Sequence, residues 1–168
     1  MSTVILRLNE GDATVTLQAT WLQTGNPGSQ IITVTGGLGA LEQMKSGDQL
    51  FVIGHGSPRK IGGYTPAELA ALLAANALPS GLWIELVACK AGASGAPFAL
   101  ELKVFLVSAK VVPISVTGGT NNMRVKNDGT PYTKTPGAAG TEIVAGKEVV
   151  NTPWGPRTRN INPKFGTT

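Results

Sequence analysis

The sequence predicts an α/β domain with a mainly parallel sheet flanked by helices. Gln49–Gly54 (QLFVIG) and Leu82–Ala88 (LWIELVA) are mostly apolar runs, the pattern of strands covered on both faces. Between them lies the strongest helix signal in the chain. Thr65 is an N-cap, Pro66 takes the first helical position and Glu68 stands three residues after the cap, which completes a capping box. The helix PAELAALLAANAL turns Leu69, Leu72, Leu73 and Ala77 to one face, and Pro79-Ser80-Gly81 stops it. Strand, helix and strand at this spacing make a right-handed βαβ unit with parallel strands.

The remaining elements follow in chain order. Thr3–Leu8 (TVILRL) reads as a strand, and Ala13–Ala19 (ATVTLQA) alternates like a second. The link Asn-Glu-Gly-Asp between them reads as a hairpin turn. Gln30–Thr35 is a third strand, Gly36-Gly37-Leu38-Gly39 a tight turn, and Leu38–Met44 a short helix. After Cys89 comes a small-residue loop, Lys90–Gly95, then a helix over Pro97–Leu106 and a strand over Lys110–Val116. Asn127-Asp128-Gly129 is a turn between Met123–Lys126 and Thr130–Lys134. Glu142–Val150 reads as a hairpin or bulged strand pair, and the stretch from Asn151 as an irregular cover strand or a loose tail. The 168 residues suit one domain, with a catalytic core over 48–106 and a β-rich flap and tail over 107–168.

Composition narrows the function. Charged residues are 14% and aromatics 5%, so the core is built from Val, Ile, Leu and Ala. There is no run of 18 apolar residues, which argues against a membrane span. Met1–Asn9 lacks the apolar stretch of a secretory signal, and one cysteine allows no internal disulfide. The expectation is a cytoplasmic protein, or one exported without a cleavable signal. Of the 14 basic residues, nine lie between Lys103 and Lys164, alongside the acids Asp128, Glu142 and Glu148. They read first as solvated hairpin lysines and second as an anion-binding surface. No aromatic ladder interleaves them, so nucleic acid is not an expected partner.

The chemistry concentrates on two residues. His55 and Cys89, each the single residue of its type, end the two apolar strands. In open α/β sheets the carboxyl ends of parallel strands form the ligand-binding edge. Gly56 after the histidine allows close backbone approach to a substrate carbonyl. A cysteine nucleophile, an imidazole for proton transfer and backbone donors for an oxyanion can thus come from two loops. The expected donors are the N–H groups of Gly56 and Cys89. One Cys and one His leave a zinc site two ligands short. No GK[ST] follows the glycines at 36–39, and Ser57 lies outside any GxSxG elbow.

The segment FVIGHGS, a helix, then WIELVACKAG resembles the core of clan CD (caspase-like) cysteine peptidases, where one hydrophobic strand ends in His-Gly and a second in Ala-Cys or Gly-Cys. It looks most like the autoprocessing cysteine protease domains of large bacterial toxins. The resemblance spans about residues 48–106. It implies a caspase-like three-layer sandwich, a C-terminal β-hairpin flap, and cysteine endopeptidase activity with His55 and Cys89 as the dyad. The substrate would be a peptide or protein, including the chain itself or a fused or interacting bacterial protein. In the toxin domains the flap helps to bind inositol hexakisphosphate, an activator. Here Lys103, Lys110, Arg124, Lys126 and Lys147 lie in the corresponding region. No other cofactor is implied. Two further readings stand beside the peptidase: a non-peptidase Cys–His effector enzyme, such as a deamidase or acyltransferase, and an inactive caspase-like binding module with a basic anion-binding surface.

Overall fold

A computed structural model describes residues 1–57, 59–89, 91, 98–119, 122–136, 142–144, 147–152 and 155–160. Five parallel strands form the centre of the main sheet: β1 (Thr3–Arg7), β2 (Gln30–Ile32), β3 (Gln49–Ile53), β4 (Trp83–Val87) and β5 (Ser115–Gly119). A second, three-stranded antiparallel sheet contains β6 (Asn122–Val125), β7 (Pro131–Pro136) and β8 (Glu142–Val144). Strands β9 (Lys147–Thr152) and β10 (Gly155–Asn160) extend the main sheet antiparallel, in the order β10-β9-β5-β4-β3-β1-β2. The helices are α1 (Ala13–Gly25), α2 (Pro66–Ala75) and α3 (Phe98–Ser108), with a short 3₁₀ turn at Gly39–Gln43.

The pleat assigns side chains to two cores. Val4, Leu6, Leu50, Val52, Ile84 and Leu86 point to one face, where Leu69 and Leu73 of α2 and Phe98, Leu102 and Leu106 of α3 cover them. Ile5, Phe51, Ile53 and Val87 point to the other, where Val15, Ala19 and Leu22 of α1 and Val125 of β6 cover them. This is the three-layer α/β sandwich expected from the sequence. Both faces of β3 are buried, which explains its continuous apolar run. Truncating a fully buried leucine such as Leu69 to alanine would cost about 2–5 kcal/mol.

The capping box of α2 forms as expected. Glu68 N–H donates to Thr65 Oγ1 at 3.2 Å, and Thr65 N–H donates to Glu68 Oε1 at 3.3 Å. The helix is shorter than its pattern, however. Asn76 caps it, and Ala77 lies beyond it, exposed and at φ 57°, so it is not on the apolar face.

Four other expectations are corrected. Ala13–Ala19 is not a hairpin strand but the start of α1, so β1 pairs with β2 and β3 instead. Asp12 caps this helix, its Oδ1 accepting from Val15 N–H at 2.8 Å, and the i, i+4, i+7 residues Val15, Ala19 and Leu22 are buried. The strand expected at Lys110 begins only at Ser115, because the chain first turns through Lys110 at φ 63°. Glu142–Val150 is not one hairpin: β8 pairs with β7, whereas β9 pairs with β5 and β10. The tail is ordinary strand over Gly155–Asn160. Of the loop expected at Lys90–Gly95, Ala91 alone is a described residue.

Strand order 2-1-3-4-5 places a switch point between β1 and β3. After β1 the chain crosses by α1 on one face; after β3 it crosses by α2 on the other. The loops leaving these strands separate there and open a crevice at the carboxyl edge. The residues after β3 and β4 meet at this edge, and Asn9 and Asp12 after β1 bond to His55.

Candidate active site

A small cleft of about 20 Å³ lies at this edge, lined by Val15, Gln18, Ile53, Gly54, His55, Val87, Cys89, Met123 and Arg124. His55 and Cys89, the two residues singled out in the sequence, thus share one cleft. β3 and β4 are hydrogen-bonded neighbours in register from Gln49↔Trp83 to Ile53↔Val87, so the residues that leave them emerge side by side.

His55 is held from the β1–α1 connection. Its backbone N–H donates to Asn9 Oδ1 at 2.8 Å, and its Nε2 lies 2.8 Å from Asp12 Oδ2. Asp12 divides its carboxylate between two tasks, Oδ1 capping α1 and Oδ2 meeting the imidazole. The hydrogen bond from Val15 N–H, and then that from His55, hold the Asp12 carboxyl below the usual carboxylate range, against a small opposing effect of burial. An ionised carboxylate can only accept, so Nε2 carries the hydrogen in this contact. Nδ1 is left for proton exchange. The His55 side chain is 58% exposed, so the contact orients the ring more than it stabilises the fold.

Asn9 and Asp12 escape a reading of the sequence because Asn-Glu-Gly-Asp looks like a hairpin turn. The available signal was the Asp at an N-cap position before an i, i+4, i+7 apolar pattern.

The loop after His55 is a small, closed ribbon. Gly62 N–H donates to the His55 carbonyl and Ser57 N–H to the Lys60 carbonyl, each at 2.9 Å. In an antiparallel pair alternate residues turn their polar groups to opposite edges, so Gly56 turns its own away from residues 60–62. There its backbone approaches Cys89: a Cβ on Gly56 would stand 2.5 Å from the Cys89 carbonyl oxygen and 2.8 Å from the Cys89 nitrogen. No residue with a side chain fits this position unless the loops separate. Ser57 is engaged in its own turn, where its Oγ accepts from Lys60 N–H at 3.1 Å.

Cys89 is half-buried, and its Sγ–H points to the Met123 carbonyl of β6 at 4.0 Å. The hairpin β6–β7 therefore forms the far wall of the cleft. It is fastened to α1 at two further places. Val125 N–H donates to Gln18 Oε1 at 3.1 Å. At the hairpin tip a Cβ on Gly25 would lie 2.8 Å from Gly129 Cα, so the two backbones touch.

The basic candidates do not converge. Lys103 and Lys110 belong to α3 and the turn after it, on one face of the sheet. Arg124 and Lys126 belong to the hairpin on the other. Arg124 lines the cleft, and the Lys126 ammonium lies 5.6 Å from the centre of the Tyr132 ring. Burial pushes the Lys103 pKa down. The Lys147 side chain lies outside the described residues. Among the described residues no group of three His, Cys, Asp or Glu is placed to hold a metal ion, and no helix is long and apolar enough to cross a membrane.

No family model and no curated protein matches the chain.

Proposed function

We propose that the protein is a cysteine-type endopeptidase. One observation carries this reading: His55 and Cys89 line a single cleft at the carboxyl edge of adjacent parallel strands, with the His55 ring held by Asp12. In the proposed reaction the Cys89 thiol passes its proton to His55 Nδ1, and the thiolate attacks a peptide carbonyl, whose oxygen takes up negative charge. The backbone N–H groups of Gly56 and Cys89 are the proposed donors to that charge. His55 delivers a proton from Nδ1 to the leaving amine, which departs as the thioester forms. The same imidazole then takes a proton from water, whose oxygen attacks the thioester, and returns it to the departing Cys89 sulfur, so that the acid and the thiol are released. Asp12 keeps the ring in one tautomer through both steps. The resemblance of FVIGHGS and WIELVACKAG to clan CD peptidases supports the same assignment and favours a site within the chain or a fused partner as substrate.

The test is turnover of a fluorogenic peptide library by the wild type, Cys89→Ala and His55→Ala. Cleavage by the wild type alone supports the reading. Equal cleavage by all three, or none by the wild type with either the isolated chain or added inositol hexakisphosphate, contradicts it.

A further inference from the structure

We propose that Gln18 holds the place of a substrate main-chain carbonyl on the edge of β6, so that an extended peptide binds by displacing it. This inference rests on the peptidase reading of the cleft. The starting observation is hydrogen bonding within the hairpin. Lys126 N–H donates to the Thr130 carbonyl at 2.9 Å, and Arg124 stands opposite Tyr132. Lys126, Arg124 and Asn122 therefore turn their polar groups toward β7, whereas Met123 and Val125 turn theirs to the opposite edge.

β6 is the outer strand of its sheet, and side chains from other elements meet that edge. The Met123 carbonyl faces the Cys89 thiol, and the Val125 N–H is taken by Gln18 Oε1. The nucleophile and the glutamine thus stand along one strand edge, and both line the cleft. A carboxamide oxygen is chemically a peptide carbonyl on a side-chain tether. A substrate strand running past Cys89 along β6 would present its own carbonyl where Gln18 Oε1 now sits. At about 3.4 Å per residue, Val125 lies about 7 Å along the edge from Met123, so this carbonyl is two residues from the scissile bond.

Gln18 can leave without freeing the hairpin. The Val125 side chain is buried in the α1-side core, and the tip is held by the Gly25–Gly129 contact. Gln18 itself is half-buried on α1, with its far end at the cleft. The substrate class follows: an extended segment recognised through its main chain, as in strand addition to a sheet edge.

The experiment combines a variant with a backbone scan. Gln18→Leu removes the competing oxygen, so KM for an extended peptide should fall severalfold while kcat stays within about twofold. In parallel, peptides with one amide at a time reduced to a methylene-amine are assayed on the wild type. Reduction two residues from the scissile bond should raise KM about tenfold, and the Val125 amide of Cys89→Ala should exchange more slowly when the parent peptide is added. An unchanged or higher KM in Gln18→Leu, or a scan with no sensitive carbonyl at that position, overturns the proposal while leaving the peptidase reading intact. Absence of Cys89-dependent cleavage in the wild type overturns both. If Gln18→Leu lowers the melting temperature, the backbone scan on the wild type decides alone.

Discussion

The two walls of the cleft are built differently. On one side, β1, β3 and β4 form a continuous parallel ladder buried on both faces, and the loops that leave it are locked by short contacts. His55 is held at its backbone by Asn9, at its ring by Asp12, and through Gly56 against Cys89. On the other side, β6 and β7 stand outside the main sheet and are fixed by α1 through one carboxamide, one buried valine and a contact between two glycines. In the proposed enzyme the first wall would preset the reacting groups to the tolerance that catalysis demands. The second holds a strand edge with a side-chain bond that, in the proposed binding mode, a peptide would replace. One helix serves both, since α1 grips the histidine at its N-terminus and the hairpin along its length.

Substitutions can break this contrast. The largest effect is expected from Gly56→Ala, whose Cβ has no room against Cys89. Separating the two loops by about 1 Å should lower kcat/KM at least about 100-fold. Wild-type kcat/KM in Gly56→Ala would show that the contact is not needed.

Asp12→Asn should come next. Asparagine caps a helix as well as aspartate does, so the melting temperature should barely move. Its amide nitrogen, turned to His55, would force the other tautomer and put the hydrogen on Nδ1. The expected loss in kcat/KM is about tenfold to a hundredfold, because the pair is partly solvated. Asp12→Ala should lose both the cap and the orientation. Equal activity of Asp12→Asn and the wild type would remove the carboxylate from the mechanism.

Acid should weaken the fold. Hydrogen bonds hold several carboxyls below their ordinary range: Val15 N–H on Asp12, Ser2 N–H on Asp48, and the hydroxyls of Thr35 on Glu10, Thr65 on Glu68 and Thr130 on Asp128. The unfolded chain, with ordinary values near about 4, binds more protons in this window. The stabilisation is complete above those values and is lost as pH falls through the depressed native ones. The urea midpoint should therefore drop between pH 6 and pH 3; a constant or rising midpoint contradicts this. The smallest effect is reserved for Thr65→Ala. Losing the α2 cap should cost about 1 kcal/mol of stability in urea and leave kcat/KM unchanged, since α2 lies across the sheet from α1 and the hairpin wall.

How far the sequence reached follows the same division. The β3–α2–β4 unit was legible because its signals are local: two doubly covered strands and a capping box. That His55 and Cys89 share one cleft was legible because both residues follow those strands. α1 was not, because Thr and Val alternate over Ala13–Ala19 and mimic a strand, while the helical period appears only once Leu22 is counted. Missing the helix hid Asp12 and Gln18, whose roles depend on where α1 begins and what crosses it. The hairpin β6–β7 announced itself through Asn127-Asp128-Gly129, but its seat on α1 did not, since Gln18 and Val125 are 107 residues apart. The pairing of β9 with β5 is equally non-local and leaves no short-range pattern.

The most direct test of the central claim is peptide-directed labelling of Cys89 in the folded protein. A small iodoacetamide probe and a set of peptidyl acyloxymethyl ketones are compared by intact mass on the wild type and His55→Ala. The expected result is one adduct on Cys89, formed faster with a preferred peptide sequence than with the small probe, and slowed in His55→Ala. A thiol that reacts only after denaturation, or with no dependence on peptide sequence, would contradict it.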